Sequence, residues 1–160
     1  MPSKKNDITY AGLKSPVIFA HRGSSVYAPE NTLAAFTLAV QQQANVIELD
    51  AKLSADGQVV VMHDETVDRT TDGTGLINTL TLTELKRLDA GSKFSPAYHS
   101  EKIPTLAEVF EAIGNQILIN VELKNFASPI DDLPDKVVSL IKNYGMERNA
   151  YRAGQRNRRR

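Results

Sequence analysis

Four short apolar runs divide this chain, and each ends on or carries ionisable side chains. Val17-Ile18-Phe19-Ala20 runs into His21-Arg22-Gly23, and Val46-Ile47-Glu48-Leu49-Asp50 carries two carboxylates. Val59-Val60-Val61-Met62 runs into His63-Asp64, and the run from Ile117 to Lys124 carries Glu122 and Lys124. Runs of this length, rich in Val and Ile and bounded by turn residues, read as buried strands. Charges are costly to bury without partners. Four strand ends bearing His, Glu, Asp and Lys therefore point to one convergent polar site. Parallel α/β folds build such sites at the carboxyl ends of their strands.

Between these runs the period lengthens. Leu33, Phe36, Ala39 and Val40 recur at helical spacing and predict a helix over 32–43, with Asn31 as its N-cap. Ala55-Asp56-Gly57 is a turn that leads into the third strand, 58–62. From Asp64 to about Pro104 the pattern weakens, and only 83–88 reads as a short helix, capped by Thr81 or Thr83. Thr105 and Glu108 form a capping box for a helix over 106–113. Pro134 opens a last helix over 135–144, and Gly145 stops it. The order strand, helix, strand, strand, irregular insert, helix, strand, helix predicts an α/β fold with parallel strands.

Composition narrows this picture in three ways. A length of 160 residues suffices for one domain with its own core. The absence of cysteine excludes disulfides and thiolate metal sites. No apolar run reaches membrane-spanning length, and the first one is too short for a secretory signal, so a cytoplasmic location is expected. The net charge of zero conceals an asymmetry. Residues 147–160 hold six arginines against one acid, Glu147, for a net +5, which leaves −5 on the preceding 146 residues.

The strand-end residues have definite chemistry. Glu48 and Asp50 lie two apart on one strand and share a face, as do Glu122 and Lys124. Three converging carboxylates offer hard oxygen ligands suited to Mg²⁺ or Ca²⁺, and too many of them to favour zinc. His21 and His63 close two different apolar runs and can divide general-acid and general-base roles near neutral pH. Arg22 and Lys124 add cations that favour an anionic phosphate substrate, while a salt bridge to a neighbouring carboxylate is an equally consistent use of Arg22. Gly23 permits close backbone approach. His99, in a Pro/Ser/Tyr loop, reads as a solvated histidine.

These residues, taken in order, resemble the glycerophosphodiester phosphodiesterase family. The likeness begins at His21-Arg22-Gly23 and Ala28-Pro29-Glu30-Asn31-Thr32 with Ala35-Phe36. It continues through Glu48-Leu49-Asp50, Ser54-Ala55-Asp56-Gly57 and His63-Asp64. Thr71-Asp72-Gly73-Thr74-Gly75 and Leu88-Asp89-Ala90-Gly91 match the family's small insert. Ile103-Pro104-Thr105-Leu106 and Asn120-Val121-Glu122-Leu123-Lys124 complete it. The resemblance covers about 17–145. It implies a (β/α)₈ barrel that hydrolyses glycerophosphodiesters to an alcohol and glycerol 3-phosphate, within glycerophospholipid metabolism. It implies one divalent cation, Mg²⁺ or Ca²⁺, held by Glu48, Asp50 and Glu122. It implies His21 and His63 as the acid–base pair, and Arg22 and Lys124 on the phosphate.

A complete barrel of this type needs about 200 residues or more. The expected organisation is therefore a polar lead-in over 1–16 and a partial (β/α)₈ barrel over 17–145 with its insert at about 64–104. Only the first three or so βα units are expected, followed by a basic disordered tail over 146–160. A frame-disrupted or artificially terminated end is the expected origin of that tail. A basic arm for nucleic acid or anionic membrane, and a solvated tail without a role, are the alternatives. No specific nucleic-acid partner is expected. An open barrel edge predicts self-association or aggregation. Against hydrolysis of glycerophosphodiesters stand a related lysophospholipid phosphodiesterase and an inactive fragment or binding module.

Overall fold

A computed structural model describes residues 12–124 and 131–154. Most of the expected lead-in (1–11) and the last six residues of the expected tail (155–160) lie outside the described residues. The elements are β1 (Phe19–His21), α1 (Leu33–Gln41), β2 (Val46–Leu53), β3 (Val59–Val61), α2 (Leu82–Leu85), α3 (Leu106–Ile113), β4 (Leu118–Leu123), α4 (Leu133–Asn143) and β5 (Ala150–Gly154). Strands β1, β2, β4 and β5 lie side by side in that order, every neighbouring pair parallel. Helices α1, α3 and α4 fall between them in the chain, the strand–helix alternation of a (β/α)₈ barrel.

The two-residue period of the strands sorts the side chains. Ile47, Leu49 and Ala51 of β2 and Ile119, Val121 and Leu123 of β4 join Phe36, Leu106, Val109 and Val137 in one apolar core between sheet and helices. Alternation then places Glu48, Asp50 and Glu122 on the opposite face. The register aligns them, with Asp50 beside Glu122 and His21 beside Glu48.

Two expectations are corrected here. The third strand is not parallel: β3 pairs antiparallel with β2 and leaves the sheet path. A three-residue turn at 55–57 is too short for a parallel crossover, which needs a dozen residues or more. The disordered tail does not begin at 146. Met146 is buried in the core, and Ala150–Gly154 forms a strand on the free edge of β4. The Ile119 amide donates to Asn149 O, and the Ala150 amide to Met146 O. An otherwise open edge thereby gains its ladder, which outweighs the lack of apolar periodicity among the arginines.

The helices follow their caps. Thr105 and Glu108 make the expected capping box on α3, and Thr81 with Glu84 makes another on α2. Helix α1 is capped by Thr32, not Asn31. Asn31 adopts a left-handed φ of 57°, which removes it from the helix and turns its amide toward β2. The insert is irregular in secondary structure but packed: Val60, Met62, Val67, Ile77, Leu85 and Ile103 form a second apolar cluster beneath it.

Candidate functional site

Neighbouring strands β2 and β4 bring three carboxylates together. Glu48, Asp50 and Glu122 each offer an oxygen, and these oxygens lie within 4.8 Å of one another. Asp50 is fully buried and Glu48 nearly so. Such proximity of like charges is tolerated only with countercharge. Lys124 supplies some of it, its Nζ 2.9 Å from Glu122 Oε1 and 3.3 Å from Asp50 Oδ1. Arg22 supplies more, with Nε 3.4 Å from Asp50 Oδ2 and its backbone N–H donating to Glu48 Oε2 at 3.1 Å.

The chain around β1 is bent to present Arg22 in this way. Arg22 and Gly23 both have positive φ, 57° and 81°. A Cβ on Gly23 would stand 2.8 Å from Ala35 at the start of α1, so the turn closes only with glycine. Asn31 then spans the gap to β2. Its Nδ2 donates to Asp50 Oδ2 at 2.9 Å, and its Oδ1 accepts from the Asp50 amide at 3.4 Å.

Countercharge here is incomplete. Burial, with repulsion from Asp50 and Glu122, pushes the Glu48 carboxyl up to about 7. Among the described residues Glu48 Oε1 is buried without a hydrogen-bond partner, and Asp50 Oδ1 and Arg22 Nε, also buried, have only their longer ion-pair contacts to Lys124 and Asp50. Two under-satisfied carboxylate oxygens beside a third carboxylate fit a hard divalent cation. The Arg22 guanidinium beside them fits an anion. We predict that the metal-free protein loses stability as pH rises from about 4.5 to about 7. In that window the unfolded chain has released the Glu48 proton while the folded chain still holds it. Chemical denaturation at pH 5 and pH 8 checks this, and Glu48→Gln is expected to flatten the difference.

The two histidines are placed by different strands. His21 ends β1, largely exposed, with Nε2 3.8 Å from Glu48 Oε2. His63 arrives from the antiparallel β3, which the Met62 amide holds to Asp50 O at 2.8 Å. Its Nδ1 lies 2.7 Å from Asp64 Oδ1. His99 sits apart in its exposed loop, but it is paired, 2.8 Å from Asp89 Oδ2.

Four polar residues that sequence reasoning did not assign to the site contact it or its border: Asn31, Glu30, Arg69 and Lys52. Lys52 could have been found, because it continues the Glu48, Asp50 alternation by one more step on the same face. It is buried, its Nζ donating to Lys124 O at 3.3 Å, and that burial lowers its pKa. Arg69 left no such signal, since it meets Glu30 across 39 residues of chain. Glu30 and Arg69 also border a cleft of about 170 Å³, lined as well by Lys93 and Phe94 of the insert.

Comparison with known proteins identifies a family for the chain. A family model described as the glycerophosphoryl diester phosphodiesterase family matches residues 21–157, which extends past Gly145, where the sequence likeness was expected to stop. A glycerophosphodiester phosphodiesterase of Caldanaerobacter subterraneus is 48% identical over 132 residues, 82% of this chain and 54% of that protein. A putative glycerophosphodiester phosphodiesterase of Bacillus subtilis is 47% identical over the same shares. Among solved structures, an Oleispira antarctica phosphodiesterase in complex with the product sn-glycerol-3-phosphate superposes with a TM-score of 0.84 at 41% identity. That match covers 89% of this chain and 58% of the other. A glycerophosphodiester phosphodiesterase from Agrobacterium tumefaciens gives 0.80 at 40% identity, covering 88% and 58%. The chain spans about half the length of the curated relatives it matches.

Proposed function

This chain belongs to the glycerophosphoryl diester phosphodiesterase family, and on that premise we propose that its carboxylate cluster is the metal-dependent centre of a phosphoric diester hydrolase. The reaction is cleavage of a glycerophosphodiester to an alcohol and glycerol 3-phosphate, in glycerophospholipid metabolism. One observation carries the reading: three carboxylates within 4.8 Å, with buried oxygens short of hydrogen-bond partners, share a site with Arg22, Lys124 and His21.

Glu48, Asp50 and Glu122 would hold one divalent cation, Mg²⁺ or Ca²⁺. When bound, such an ion supplies charge neutralisation at the phosphoryl oxygens. The chain's own groups do the rest. Arg22 and Lys124 bind phosphate oxygens and stabilise charge as it develops there. One of His21 and His63 takes the proton of the attacking hydroxyl, and the other donates a proton to the leaving oxygen. Asp64, held near a pKa of 2 chiefly by its hydrogen bond from Arg69, is an acceptor at neutral pH. The His63 proton therefore sits on Nδ1, and Nε2 is free for transfer.

Release of glycerol 3-phosphate from glycerophosphocholine tests the reading. Turnover should need a divalent cation, stop with EDTA, and fall sharply in His21→Ala. A folded sample with no metal-dependent turnover sinks it and favours the non-catalytic alternative. Turnover confined to lysophospholipids favours the related phosphodiesterase.

Among the described residues, no helix is long and apolar enough to cross a membrane, and a cytoplasmic setting is part of the same proposal. So is self-association of the 160-residue chain through β1, where Ile18 and Phe19 are each more than half exposed. Light scattering coupled to size exclusion should show dimers or larger species. A monodisperse monomer with a cooperative melt excludes them.

A further inference from the structure

His63 and Arg22 sit on different elements, yet an unbroken chain of ion pairs connects them. Arg22 Nη1 donates to Glu30 Oε1 at 3.0 Å. Arg69 grips the same carboxylate with two nitrogens, Nη1 to Oε2 at 2.9 Å and Nη2 to Oε1 at 2.7 Å. The other side of its guanidinium takes Asp64, Nε to Oδ2 at 2.6 Å and Nη2 to Oδ1 at 3.2 Å. Asp64 Oδ1 then faces His63 Nδ1 at 2.7 Å. The order is cation, anion, cation, anion, imidazole.

We propose that Arg69 and Glu30 are positioning residues that fix the orientation and tautomer of His63 and tie it to the guanidinium of Arg22. The inference rests on the hydrolytic reading above only for what the placement is used for, not for the placement itself. A planar guanidinium is suited to this role because its N–H groups point in fixed directions and engage two carboxylates at once. The half-exposed Arg69 side chain has little to gain in stability from surface ion pairs alone. Four hydrogen bonds from one guanidinium to two carboxylates are better explained by geometry than by stability. Asp64 reads as an orienting acceptor: held by two nitrogens of Arg69, it cannot rotate away from Nδ1. Glu30 reads as the hinge of the arrangement, since among the described residues it alone touches both arginines. Neither Arg69 nor Glu30 is assigned to proton transfer or to the cation.

The test has a structural and a kinetic arm. The ¹⁵N-labelled 160-residue chain has three histidines, and His21→Gln and His99→Gln variants assign their ring signals. Long-range ¹H–¹⁵N correlation should show His63 as a single tautomer protonated at Nδ1. In Arg69→Met it should become a mixture weighted toward Nε2, as in free histidine. Arg69→Lys keeps the charge without the fork and should also lose the single tautomer, which separates geometry from charge. An unchanged His63 signature in Arg69→Met, or an Nε2-protonated ring in the parent chain, overturns the proposal. In the kinetic arm, Arg69→Met and Glu30→Gln should each lower kcat by about 10–100-fold, the range typical of residues that orient catalytic groups. KM should change less. Unchanged kcat in an active chain overturns the proposal. Absence of turnover in the parent chain counts against the hydrolytic reading instead, and the tautomer measurement still decides the placement.

Discussion

Replacing His63 with alanine is expected to lower the kcat of the proposed glycerophosphodiester hydrolysis by about 10²–10⁴-fold, the usual worth of a positioned general acid or base. The loss should appear equally in kcat/KM, because proton transfer is made only in the transition state. Substrate binding should survive, since Arg22 and Lys124 remain in place beside the carboxylates. Stability should change little, because the His63 side chain is partly exposed and lies outside both apolar clusters. Steady-state kinetics of His63→Ala beside its thermal melt separate the two effects. A kcat within tenfold of the parent's would remove His63 from the chemistry. His21→Ala is a less clean experiment, because the His21 ring also approaches Glu48.

Lys124→Met should have the largest effect on stability. Its Nζ bridges Asp50 and Glu122, and the side chain is almost fully buried. Removing it takes a partner from two carboxylates that already share their space with Glu48. Lost pairing and increased repulsion act in the same direction and outweigh the relief of the desolvation cost of the Lys124 ammonium. Breaking a buried ion pair from one side typically costs about 3–5 kcal/mol, and a loss of that order is expected in metal-free protein. A divalent cation should recover much of it by supplying the missing positive charge. Urea denaturation with EDTA and with excess Mg²⁺ or Ca²⁺ reads both numbers. Equal stability of variant and parent in EDTA would mean that Lys124 does not balance the cluster.

The site is unusually legible from sequence because its chemistry lies on strands. A two-residue period announces which side chains share a face, so spacing alone pairs Glu48 with Asp50, and Glu122 with Lys124. The capping box of Thr105 and Glu108 is equally local and equally readable. Asn31 shows where local reading fails. As a residue before a helix it looks like a cap, yet a left-handed backbone hands that role to Thr32 and gives its amide to Asp50. Nothing within a few residues of Asn31 encodes that choice.

The same division holds for the fold. Apolar alternation and turn residues are short-range properties of the chain, and they carry the strands, the helices and the faces to which the charges belong. Whether a strand runs parallel or antiparallel, and whether an arginine-rich segment pairs with an edge, depends on what stands beside it. The antiparallel path of β3 brings His63 back to β2, and the unsatisfied edge of β4 draws Ala150–Gly154 into the sheet. Arg69 is the extreme case, because Asp64 lies near it in the chain while Glu30 lies 39 residues away, and only folding brings three charges of alternating sign into line. Hydrophobic period is written along the chain; backbone edges and ion pairs are satisfied across space, by neighbours that no local pattern names.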